Sequence, residues 1–159
     1  MRKQTIKAVT MLISIVAFAF ATALVSNAQS RRLTADVPFD FVVGERTLTA
    51  GQYSVGQITT GSDTGISVLS RDGRQNAVRL SNTVMTSSNT KHQARLIFRR
   101  YGSTYYLAQV WLGGSREGRE LGKSKSEKAA EIELARNAAE NNLAQNAKPE
   151  IVTIVAEGY

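Results

Sequence analysis

Between positions 71 and 100 the chain carries seven positive charges, Arg71, Arg74, Arg79, Lys91, Arg95, Arg99 and Arg100, against one acid, Asp72. Tyr101, Tyr105 and Tyr106 follow directly. Arginine beside tyrosine on a pleated surface can hold an anionic group by charge and a flat ring by its face. Arg95, Arg99, Tyr101 and Tyr106 are therefore the candidate ligand-binding residues. An acidic glycan or another anionic envelope component is the partner that suits them. The same residue types are also ordinary cross-strand neighbours that cover the outside of a sheet.

Other chemistries find less support. The chain has no cysteine and one histidine, His92, which removes thiol nucleophiles, disulfides, cysteine zinc sites and multi-histidine metal sites. His92 lies in the polar stretch SSNTKHQ (87–93), and no G-x-S-x-G elbow surrounds any serine. Asp36 and Asp40, read as one strand face, stand roughly 13 Å apart. Glycosidase carboxylates need about 5 to 9.5 Å. No D-x-D-x-D-G calcium loop occurs. The segment GRELGKS (118–124) imitates a phosphate loop, but three residues separate its glycines where four are required. Ser124 as a helix cap explains the same residues. No catalytic residue, metal site or cofactor is assigned.

The candidate residues need an element to carry them, and the chain supplies strands. Leu33, Ala35, Val37, Phe39, Phe41 and Val43 alternate with less apolar residues, the period of a half-buried strand. Pro38 within it implies an edge position or a bulge. Further strands are expected over 52–59, 66–70 and 76–86. TTGSDTG (59–65) reads as a loop, and Asp72-Gly73 as a tight type I′ hairpin. Strands over 94–101 and 104–112 flank Gly102-Ser103. Pairing them about that turn sets Phe98 opposite Leu107 and Arg99 opposite Tyr106. Ala94, Leu96, Phe98, Leu107 and Trp111 then face the core, and Arg95, Ile97, Arg99, Tyr101, Tyr106 and Val110 face outward.

Residues 113–123 read as a loop rich in glycine and charge. A helix is expected over 124–147, opened by the capping box Ser124 to Glu127. Its apolar stripe is Ile132, Ala135, Ala139 and Leu143. Its charges alternate in sign, which marks a solvated face and not a membrane-seeking one. A last strand is expected over 150–156. The resulting fold class is mainly β: an antiparallel sandwich or small barrel of about seven strands, with one C-terminal helix before the last strand.

The N-terminus is read as a leader. Arg2, Lys3 and Lys7 precede an uncharged run from Ala8 to Val25, and Ser26-Asn27-Ala28 ends it with small residues at the first and third positions. That is a secretory signal peptide (1–28) with cleavage between Ala28 and Gln29. A retained leader would anchor the chain instead, and then supplies its only membrane contact. Without the leader's three basic residues the net charge falls from +7 to +4. Residues 29–159 are enough for one domain with its own core. The expectation is a secreted or periplasmic protein, so nucleic acid is not an expected partner.

VPFDFVVGERTLTAGQYSV (37–55), LIFRRYGSTYYLAQVW (96–111) and GRELGKS (118–124) together resemble a family of short secreted proteins of soil bacteria. The family pattern is VPFxFxVGxxxLPAGxYxV, a hairpin similar to FHRYGxxYFLxxxW, and GRELPKS. The resemblance spans most of residues 35–126. Thr49 and Gly122 stand where proline is usual, and Arg99 where histidine is usual. The resemblance implies export and a β-rich fold, and it implies no activity. The expected function is an exported, non-enzymatic β-domain acting as an envelope-associated binding or structural module. The alternatives are a small outer-membrane barrel and an exported enzyme using Tyr, Arg or Asp.

Overall fold

The computed structural model describes residues 32–60, 63–86, 93–140 and 148–158. The expected leader with its Ala28–Gln29 cleavage point, His92, Lys91 and residues 141–147 lie outside the described residues. In chain order the strands are β1 (Arg32–Val37), β2 (Phe41–Val43), β3 (Arg46–Leu48), β4 (Gly51–Thr60), β5 (Asp63–Ser70) and β6 (Asn76–Met85). They continue with β7 (Arg95–Tyr101), β8 (Thr104–Trp111), β9 (Glu117–Leu121), β10 (Glu150–Val155) and β11 (Glu157–Gly158). One helix, α1 (Lys125–Glu140), stands between β9 and β10. The chain is thus mainly β with a helix before its last strands, as its periodicity predicts, but with eleven strands among the described residues in place of about seven.

The additional strands have identifiable causes. Pro38 lacks an amide for a ladder, so it divides the first apolar run into β1 and β2. The stretch EGREL reads as loop yet forms β9, because β6 and β8 flank it on both sides. β4 and β5 extend into TTGSDTG, leaving 61–62 as the only residues between them.

The strands follow the order β10-β7-β8-β9-β6-β5-β4-β1-β11, with β2 joining β3 and β8 off that path. Every pairing is antiparallel except β2 with β8, where Phe41 lies opposite Tyr105. The sheet is therefore mixed, and it is not closed by hydrogen bonds. It nevertheless wraps one core. β6 gives its first half to β5 and its second half to β9. β10 and β11, at opposite ends of the order, are separated by Ala156, whose N–H donates to Ala94 O at 2.8 Å. Leu33, Val37, Phe41, Tyr53, Val55, Ile66, Val68, Leu96, Phe98 and Val110 join a single buried cluster. Phe41 meets Tyr53 and Phe98 edge-on at 5.0 and 5.4 Å. Each such buried side chain contributes roughly 1.5–3 kcal/mol of transfer free energy.

Three local expectations are corrected. First, Ala108 is an extra residue in β8: Phe98 faces Leu107, but Ile97 faces Gln109 and Arg95 faces Trp111. The bulge exchanges the faces beyond it. Val110 joins the core, while Trp111 packs on the outer side under the Arg95 guanidinium, 4.8 Å from its ring. Second, the β5–β6 connection is longer than a two-residue turn. Gly73 N–H donates to Ser70 O (2.9 Å) and Ser70 N–H to Gln75 O (2.8 Å). Asp72 accepts from Ser70 Oγ and from Arg74 N–H, and Gly73 takes the left-handed conformation at φ 71°. Third, α1 turns a different stripe inward. Glu127 and Ala138 are its buried residues, whereas Ile132 is 62% exposed.

Candidate functional site

β7 sets Arg99 and Tyr101 two residues apart on its outer face, and β8 sets Tyr106 opposite Arg99. The face they share is the one α1 covers. Arg99 Nη2 donates to Glu120 Oε1 of β9 at 2.6 Å, and Nη1 to Glu127 Oε1 of α1 at 3.1 Å. The Arg99 side chain is 14% exposed and that of Glu127 4%. A charge so placed is tolerated only when paired, and this guanidinium serves two carboxylates from two elements.

Glu127 does half of what its capping motif predicts. Its backbone N–H donates to Ser124 Oγ at 3.1 Å. Its carboxylate goes to Arg99 and not back to the cap residue. Capping of the helix start is completed from the β2–β3 turn, where Glu45 Oε1 accepts from Lys125 N–H at 2.8 Å and Oε2 from Ser126 Oγ at 3.1 Å. The Lys125 hydrogen bond is the main cause holding the Glu45 carboxyl below its ordinary value. Lys123, just before α1, pairs with Glu131.

Tyr101 and Tyr106 are both buried and meet edge-on, with centroids 5.7 Å apart. The Tyr101 hydroxyl makes no hydrogen bond of good geometry, although it faces the Glu127 carboxylate. Burial first, then the negative charges of Glu127 and Glu131, push its pKa up to about 12.

Three of the four sequence-predicted residues therefore come together: Arg99, Tyr101 and Tyr106. Arg95 lies toward the other end of β7, against Trp111. The positive charges of residues 71–100 do not form one patch. Arg71 bonds Gln52, Arg74 pairs with Asp72, and Arg100 bonds Glu150 while lying 5.3 Å from the Tyr105 ring. Asp40 accepts from Ala50 N–H beyond the end of β1, so it shares no strand with Asp36. The phosphate-loop imitation is also accounted for. Gly118 lies in β9, and a Cβ there would sit 2.6 Å from the Trp111 ring.

The acids of the cluster, Glu120, Glu127 and Glu131, were not singled out as ligand-site residues in the sequence. The capping box marks Glu127, but only for its backbone role. A second polar site lies at the start of β4, a groove of about 250 Å³ lined by Thr49, Gln52, Tyr53, Arg71, Asp72 and Gln75. Its groups mostly satisfy one another: Gln75 Oε1 accepts from Thr49 N–H (3.0 Å) and from Tyr53 OH (3.2 Å). Among the described residues no group of three or more His, Cys, Asp or Glu could hold a metal ion. No described helix is long and apolar enough to cross a membrane.

These features define a class: a mainly β domain that binds a polar helix across a basic–aromatic face. Comparison with protein-family models, curated proteins and solved structures gives no match for the chain.

Proposed function

We propose that the chain is an exported, non-enzymatic binding module whose β7–β8 face takes an acidic glycan of the cell envelope. One observation carries this reading: Arg99 holds two carboxylates beside the rings of Tyr101 and Tyr106. A guanidinium fork that fits carboxylates beside aromatic rings is the chemistry that recognises a uronic acid. The basic start, apolar run and Ser26-Asn27-Ala28 of the leader support export.

The distribution of polarity weighs against the outer-membrane alternative. Such barrels carry an apolar band outside and polar groups within. Here the apolar cluster is inside, and Asp36, Gln52, Asn76 and Asn82 are exposed on the strands, where Val78, Leu80, Met85, Ile151 and Val155 are exposed beside them without forming a band around the sheet. Two measurements test the proposal. N-terminal sequencing of the protein from the soluble exported fraction should begin at Gln29. Titration with oligogalacturonate should give saturable binding. A protein recovered from Met1 inside the cell, or one that binds no acidic glycan, contradicts it.

A further inference from the structure

We propose that α1 is a displaceable cover over the β7–β8 face, with Glu127 occupying the place on Arg99 that a uronate carboxylate takes when ligand binds. This rests on the binding reading above and adds the regulation of that site.

Three observations carry it. First, α1 is held mainly by polar contacts. Glu127 bonds Arg99, and Glu45 caps the first turn. Ala138 is the one buried apolar residue of the helix, Leu134 is half-buried and Ile132 is exposed. A helix that adds no residue to the main core cluster can leave without opening it, and sub-global openings of this kind involve such elements. Second, the two carboxylates on Arg99 come from different sources. Glu120 belongs to β9 and stays with the sheet. Glu127 belongs to α1 and leaves with it. Departure of α1 thus frees Nη1 of Arg99 while Nη2 remains bound to Glu120. Third, the Tyr101 hydroxyl is buried, makes no hydrogen bond of good geometry, and faces the Glu127 carboxylate that leaves with α1. Once the helix has moved, that donor can turn to a sugar oxygen.

The occupant follows from that chemistry. Arg99, still held by Glu120 through Nη2, offers Nη1 to a second carboxylate. Tyr101 offers a hydrogen bond, and Tyr106 an aromatic face. A uronic acid supplies the acid, the hydroxyls and an apolar ring face in one residue. Because closure competes with binding, the observed affinity is lowered by the fraction of molecules with α1 displaced.

The test is calorimetric titration of oligogalacturonate into the protein, Glu127→Gln and Tyr101→Phe, with amide exchange followed across residues 125–140. Glu127→Gln should bind about ten-fold more tightly. Tyr101→Phe should bind about ten-fold more weakly, since it removes the donor offered to the sugar. In the unmodified protein, ligand should speed exchange in α1 and slow it in β7 and β8. If Glu127→Gln does not fold, Tyr101→Phe and the exchange measurement still decide the matter. Tight binding with exchange in α1 unchanged, or no gain in a folded Glu127→Gln, overturns the cover and leaves glycan binding standing only at a surface other than the buried Arg99 face. If phosphatidylglycerol vesicles, titrated in parallel, are bound and oligogalacturonate is not, the glycan assignment is overturned. No binding by any of the three proteins overturns both.

Discussion

Gly118 and Tyr101 show opposite kinds of fit. At Gly118 the Trp111 ring fills the space a side chain would need. Gly118→Ala should therefore cost about 1–3 kcal/mol through overpacking, measured by urea unfolding. Tyr101 instead has a buried hydroxyl that faces the Glu127 carboxylate without a hydrogen bond of good geometry. Tyr101→Phe should raise stability at neutral pH by about 1 kcal/mol, since it removes an unsatisfied group. The alkaline limb provides a second readout. The native Tyr101 pKa, pushed to about 12, lies above its ordinary 10.0. The unfolded state therefore loses its proton first, and stability falls as pH rises from about 10 toward 12. Tyr101→Phe should flatten that fall. A variant less stable than the parent at pH 7, with an unchanged alkaline limb, would refute the assignment.

At the scale of elements, the helix start is the pH-sensitive feature. Glu45 caps α1, and its lowered pKa means that the charged form favours the native state. Its contribution is present above the ordinary carboxyl value and is lost as pH falls through the lowered one. Far-UV circular dichroism below pH 4 should report helix loss ahead of sheet loss, and Glu45→Gln should remove that early step. The chain's own pattern foretold much of this level. The alternation of β1, the pairing of Phe98 with Leu107 and the cap at Ser124 are all readable, because each is set by neighbours in sequence. The bulge at Ala108 is not. It falls where the outer neighbour of β8 changes from β2, at Tyr105 and Tyr106, to β9, at Gln109 and Val110. That change is tertiary, and so is the choice of helix face. The sequence offers a stripe through Ile132 and Ala135, but Arg99 draws Glu127 inward and rotates the helix with it. For the same reason the nearness of Arg99, Tyr101 and Tyr106 is legible in the sequence, while that of Glu120 and Glu127 is not.

Across the whole molecule, the C-terminal residues join the two ends of the strand order. β10 lies along β7, Ala156 bonds Ala94, and β11 lies along β1. Val152 and Ile154 pack on the core from there. Deleting residues 149–159 should thus abolish cooperative unfolding, seen as loss of the near-UV signal of Trp111 and the tyrosines. A truncated protein that melts like the parent would show that the wrap is dispensable.

Binding of an acidic glycan by the Arg99 face is the claim from which the others take their functional meaning. It is tested most directly by calorimetric titration of oligogalacturonate into the parent protein and Arg99→Lys. The lysine keeps a positive charge facing Glu120 and Glu127 but lacks the planar fork. Saturable binding that weakens ten-fold or more in a folded Arg99→Lys is the predicted result. Equal binding by the two proteins, or none by the parent, would contradict it.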